Sequence, residues 1–467
     1  MRLPPRLITA LAFLLPCLLL FPLLLPGQLI HRDMVVLDYP ALSLGAFGFG
    51  DLPARNAPQD GALAVLGAVL PASWVARAAI LGAAAWGCFH LRKHPAAMVL
   101  LLINPFVVER LLQGQWSLVI AAWVLPIVAN PKAGAQRYLA LWACSLTPTG
   151  AVIGLVTGVV AGMHRLRRLL FGVLCALPWI VPSLTHSQTP VAGAQVFAAR
   201  AEGLVGTLGA LAGLGGIWNT HAVPPSRHAG FALAGIALFA FLLTAYAKVQ
   251  KRLLALAAAG FVLATLGWLA PAFLEHLMQL PGGGLLRDGQ KWILLALPAY
   301  LALAKHVRPA WLLVSLTLLQ VPDAPSALWA LRPTTAQVAS YGHGEDVLFT
   351  DLPGTLDPRT KASPSVESGE LIVDGQRIDA PSSRYTAALQ AWQRRDVATL
   401  QNLKVGLVVD QDKVTEIPNV APRRGWPWWT GLGLSVGWLL LPAIPLLPAL
   451  WRSTRSRWRR SEAPAER

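Results

Sequence analysis

Ten polar residues in four stretches of this sequence are of types that could do chemistry together: Asp33 and Asp38; Glu109, Arg110, Gln113 and Gln115; Asn219; and Arg287, Asp288 and Lys291. They stand out because only 13% of the chain is charged and 55% is hydrophobic. The segment 30–60 alone holds four acids, Asp33, Asp38, Asp51 and Asp60. A carboxylate such as Asp33, just beyond a long apolar run, can act as a general base on a hydroxyl at the membrane surface. The plain alternative is a loop acid, or a partner for Arg32. The planar fork of Arg110 suits phosphate oxygens, and the alternative is an ion pair with Glu109 among lipid headgroups. Glu109 is also a candidate metal ligand. Arg287 and Lys291, four apart, fall on one helical face beside Asp288, where they could capture phosphate or simply snorkel around Trp292. Together these types suit a reaction between a phosphate-bearing lipid and a hydroxyl acceptor. Arg227 is a further polar group of the same kind. The histidines, including His186, show no ligand spacing, so no metal site is assigned. The cofactor is left unknown, with a divalent cation the open case.

The elements that must position these groups are membrane spans. Mean hydropathy is +0.51, and apolar runs of roughly 20 residues recur, as in polytopic membrane proteins. The run 7–25 follows Arg2 and Arg6, is too long for a signal-peptide core and has no small-residue cleavage site after it, so it is read as a helix. The net charge of +16 is assigned to basic cytoplasmic loops, not to nucleic-acid binding. Cys17, Cys88, Cys144 and Cys175 lie inside apolar runs without metal-ligand spacing.

Basic residues favour the cytoplasmic side of short loops. On that rule the spans are 7–25, 73–91, 95–108, 116–129, a hairpin over 138–163 turning at 147–150, 169–184, 230–247, 253–270, 292–304, 311–321 and 426–450. This predicts an all-α polytopic membrane protein with about 12 transmembrane helices, both ends cytoplasmic. Domain bounds are 1–321 for the transmembrane module with outer loops 31–72 and 185–228, 322–425 for a small extracytoplasmic α/β segment, and 426–467 for the last helix and a basic tail. Trp116, Trp292, Trp426, Trp428 and Trp429 are expected at the outer interface and Trp451 at the inner one. Spans too short to cross alone point to a hydrated pocket opening outwards. In the outer segment 346–350 and 405–409 are strand-like, 384–403 reads as a helix, and 354–370 as loosely ordered.

Five stretches carry a resemblance: R-D-M-V-V-L-D (32–38), G-D-L-P-A-R-N-A-P-Q-D (50–60), N-P-F-V-V-E-R-L-L-Q-G-Q-W (104–116), G-G-I-W-N (215–219) and L-L-R-D-G-Q-K (285–291). Together they resemble a group of actinobacterial multi-pass membrane proteins. The group is similar in layout to GT-C glycosyltransferases, which transfer sugars from polyprenyl-phosphate donors outside the membrane. The resemblance implies a catalytic base in the first outer loop, where Asp33 holds the matching position and Asp38 is second choice. It also implies a polyprenyl-phosphate sugar donor and an envelope glycan or lipid acceptor as partners beside the bilayer, in a bacterial plasma membrane. The paired-acid signature of such enzymes is absent, which leaves metal dependence and the identity of the base open. The outer segment is also shorter than the group's usual α/β domain. The rival readings are a transporter or flippase for a lipid-linked saccharide and a non-catalytic envelope-assembly scaffold.

Overall fold

A computed structural model describes residues 4–162, 164–185, 193–342, 344–353, 356–411 and 413–446. His186, Trp451 and the basic tail lie outside the described residues. The chain is largely helical with few strands. Five helical segments are long and apolar enough to cross a membrane: Ala72–His90, Pro95–Gln113, Arg165–Thr185, Lys251–Leu269 and Trp426–Leu446. The other apolar helices, among them Pro5–Leu19, Trp116–Ala129 and Pro148–Ala161, are shorter. Large apolar side chains such as Phe13, Leu18, Leu170, Leu174 and Val262 face outwards from these helices, as lipid-facing surfaces do.

The first helices are α1 (Pro5–Leu19), α2 (Gln59–Gly67), α3 (Ala72–His90), α4 (Pro95–Leu102), α5 (Pro105–Gln113), α6 (Trp116–Ala129), α7 (Gln136–Cys144), α8 (Pro148–Ala161) and α9 (Arg165–Thr185). Every residue of α6 from Trp116 to Val128 is buried. A helix apolar all round belongs in an interior, and α6 is the post against which α3, α5, α7 and α8 pack.

Two proline breaks shape the site. Pro105 takes the first position of α5, where its missing N–H costs nothing. Asn104 caps that helix by accepting from Val107 N at 3.2 Å, while its amide donates to Leu100 O and Leu101 O. The side chain thus stitches α4 to α5, and the apolar segment runs to Gln113 rather than ending at 108. At Pro148 the expected hairpin is present. The Tyr138 ring lies 5.4 Å from that of Phe171 and Arg168 donates to Gly158 O, so the start of α7 meets the turn between α8 and α9.

Other expectations change. Trp116 and Trp292 are buried, not interfacial, because both lie within packed segments. Trp426 and Trp429 are exposed. The segment expected as a helix over 292–304 begins as a 3-10 helix, Gly289–Ala296, before the α-helix Leu297–Ala304. The loop after α1 holds an antiparallel hairpin of β1 (Leu29–His31) and β2 (Met34–Val36), with Arg32 and Asp33 at its tip.

The segment 322–425 is built around a three-stranded sheet. Strands β3 (Asp346–Phe349), β6 (Val405–Asp410) and β7 (Lys413–Glu416) lie in the order β3-β6-β7. The parallel β3–β6 pair needs a crossover, supplied by helices Ser383–Gln393 and Val397–Asn402. The single helix expected over 384–403 is split there, at Arg395 with a φ of 57°. Leu348, Val366, Ala388, Leu400 and Val408 form the core between sheet and helices. Part of the stretch expected to be loose is ordered: Arg359–Ala362 is helical and Ser365 bridges to Val347. A second hairpin follows, β4 (Leu371–Val373) and β5 (Gln376–Asp379), turning through Asp374 and Gly375, both at positive φ.

Candidate functional site

The site begins where the β1–β2 hairpin rests on the C-terminus of α5. Gly114 ends α5 in the left-handed conformation, with a φ of 88°. A Cβ there would collide with the Met34 amide nitrogen and the His31 carbonyl, so glycine is what lets the hairpin tip come this close. The tip then occupies carbonyls that a helix end leaves open. Asp33 N donates to Gln113 O at 3.1 Å, and Leu112 O accepts from Arg32 Nη1 at 2.6 Å and bonds His31 Nε2 at 2.8 Å. This fixes an exposed carboxylate, Asp33, above α5.

Two carboxamides hold that carboxylate. Gln113 Nε2 donates to Asp33 Oδ2 at 3.1 Å and Gln115 Nε2 donates to the same oxygen at 3.0 Å. Among the described residues no group hydrogen-bonds Asp33 Oδ1. Each amide is tied back by its own oxygen. Gln113 Oε1 accepts from Asn219 Nδ2 at 2.7 Å and Gln115 Oε1 accepts from Arg110 Nη1 at 2.7 Å.

Arg110 is fully buried. It grips Asp288 with two hydrogen bonds, Nη1 to Oδ2 at 2.5 Å and Nη2 to Oδ1 at 2.8 Å. Its Nε donates to Gln290 Oε1 at 2.8 Å, and Nη2 reaches the same oxygen. The five N–H groups of a guanidinium are thereby engaged. Lys291 Nζ lies 3.5 Å from Asp288 Oδ2. Burial pushes the Asp288 carboxyl up, but Arg110 and Lys291 outweigh it and hold the group below its ordinary range. Burial pushes the Lys291 ammonium down, opposed by Asp288 and Asp33.

The sequence clusters therefore converge, with exceptions. Asp33, Arg110, Gln113, Gln115, Asn219, Asp288 and Lys291 form one network. Glu109 does not join it. It is buried on another side of α5, accepting from Ile217 N at 3.0 Å and Gly216 N at 3.4 Å, near the ion pairs Glu202–Arg227 and Glu202–Arg200. It braces a loop and is not placed to touch a ligand. Arg287 turns away to Asp379 of the segment 322–425 at 2.7 Å. Asp38 accepts from Ser73 Oγ, which also accepts from Arg77 Nη1 at 2.7 Å, so Asp38 anchors a buried arginine. Arg110, expected to bind phosphate, is engaged by protein groups.

Sequence reasoning did not single out Gln290, although it stands in the R-D-G-Q-K stretch, nor Glu202, Arg77 and Asp379, the last of which meets Arg287 from 92 residues away. Among the described residues no three His, Cys, Asp or Glu side chains are grouped to hold a metal ion. No family model, curated protein or solved structure matches the chain.

Proposed function

We propose that the chain is an integral membrane glycosyltransferase with the GT-C-like layout of about twelve spans expected from the sequence. It would transfer a sugar from a polyprenyl-phosphate-linked donor to a cell-envelope glycan or lipid acceptor on the outer face of the plasma membrane. The observation that carries this reading is Asp33, an exposed carboxylate aimed by Gln113 and Gln115 and backed by the Arg110–Asp288–Lys291 group.

In this reading Asp33 takes the proton of the acceptor hydroxyl as its oxygen bonds to the anomeric carbon. The bond from that carbon to the donor phosphate breaks, and the electron pair leaves with the polyprenyl phosphate. Inversion follows from direct displacement. Lys291 is the cation best placed to offset the developing phosphate charge, since it is partly exposed while Arg110 is buried. Arg110 then acts as a positioning residue, holding Gln115 under Asp33.

A saccharide transporter is the second reading, favoured by the charges of Glu109, Glu202 and Arg227, all buried. The test compares wild type with Asp33→Asn in membranes supplied with a labelled polyprenyl-phosphate sugar, following label in envelope glycans. The expected result is a loss of about 10²–10⁴-fold, the usual worth of a general base, at normal expression. Unchanged transfer removes Asp33 as the base. Label that crosses the membrane but is never transferred turns the reading to transport.

A further inference from the structure

The outer segment is fastened to the first loop by a cluster of seven charged groups. Lys361 pairs with Asp60. Arg384 pairs with Asp51 at 3.0 Å and with Asp346 at 2.7 Å. Arg423 pairs with Asp346 at 3.0 Å and lies 3.8 Å from Asp51. The fourth acid, Glu367, has no cation at ion-pair distance among the described residues. It is instead cross-linked to a like charge: Asp51 N donates to Glu367 Oε2, and Glu367 N donates to Asp51 Oδ2, both at 3.1 Å. Its carboxyl lies against Gly45 and Gly50, where a Cβ would meet it, so the group is confined from the loop side.

The same contact steadies the β1–β2 hairpin. Ala41 N donates to Lys361 O at 2.8 Å, and Val35 and Leu37 pack on Ala362. Val35, Val36, Ser43, Asp60, Lys361 and Glu367 line one cleft between loop and segment. Whatever loosens Glu367 therefore loosens the support of the strand that follows Asp33.

We propose that Glu367 is a proton-operated latch, holding the outer segment on the first loop while it carries a proton and releasing it when ionised beside Asp51. Three acids share three cations in the cluster, so the fourth is left to a proton. Burial, then the charge of Asp51, pushes the Glu367 carboxyl up to about 7, against the opposing pull of Lys361. The docked form thus binds the proton more tightly than the open form. Docking is fully favoured below the ordinary glutamate pKa and weakens as pH rises through about 7.

Hydrogen exchange on the full chain in nanodiscs tests this without reference to any transfer reaction. The peptides covering 41–51 and 361–367 are followed from pH 4.5 to 8.5, corrected for intrinsic exchange. Wild-type protection is expected to fall on the order of 100-fold over that range, each pKa unit being tenfold. Glu367→Gln should stay protected throughout. Asp51→Asn removes the like charge, so its loss of protection should be complete at lower pH and be smaller. A flat wild-type profile, or the same fall in Glu367→Gln, overturns the latch. If Glu367→Gln does not fold, an Asp51→Asn profile identical to wild type overturns it equally.

Discussion

Replacing Asp288 by asparagine strips the buried guanidinium of Arg110 of its counter-ion. Arg110 is fully buried and the Asp288 side chain is 10% exposed, so little water can take the place of the lost charge. Removing one member of a buried pair typically costs about 3–5 kcal/mol. Arg110→Met should cost less, because Lys291 stands 3.5 Å from the carboxylate left behind. The double variant should cost less than the sum, with a coupling of about 1–3 kcal/mol. Unfolding titrations in mixed micelles measure all three. The pH dependence supplies an independent check. Asp288 is held below its ordinary range, so its contribution is present above that range and is lost as pH falls through the lowered value; Asp288→Asn should lack this acid limb. Additive single effects, or an Asp288→Asn cost below about 1 kcal/mol as for a surface pair, would refute the reading of Arg110 and Asp288 as the buried support of the site.

Two further outcomes follow from the same geometry. Gly114→Ala should cost about 1–2 kcal/mol for the left-handed backbone alone, and more through its collision with the hairpin; thermal melting reports the loss, and transfer should fall with it as Asp33 moves. Asp38→Ala removes the acceptor of Ser73 Oγ beside buried Arg77 and should cost about 1–3 kcal/mol, while transfer per folded molecule stays unchanged, unlike Asp33→Asn.

The parts legible in the sequence are those set by local pattern. Strands at 346–349 and 405–410 follow from short apolar β-branched runs, and the hairpin at Pro148 follows from the basic residues on both sides of 138–163, which a single span would have set apart. The exposure of Asp33 follows from its place after an apolar run. Glu109 and Arg110 fall just beyond the span expected over 95–108, whereas the helix that Asn104 and Pro105 begin runs on to Gln113 and carries both. Their burial depends on partners such as Gln290 and Ile217, which lie more than 100 residues away and share no local signal with them. The hairpin over 371–379 had a signal, the Asp374-Gly375 pair that favours tight turns with both φ positive. The β1–β2 hairpin had a weaker one, since of its two tip residues only Asp33 favours turns while Arg32 takes a φ of 49°, and the contact with Gly114 holds it.

The two glutamines flanking Gly114 set a boundary for traffic at the surface. An amide transmits polarity from Arg110 and Asn219 to Asp33, yet at ordinary pH it neither accepts nor surrenders a proton. The hairpin tip is therefore a terminus. A proton that reached Asp33 would have no relay inward through Gln113 or Gln115, so the groups beneath would sense its arrival only through the charge of Asp33, as Lys291 does.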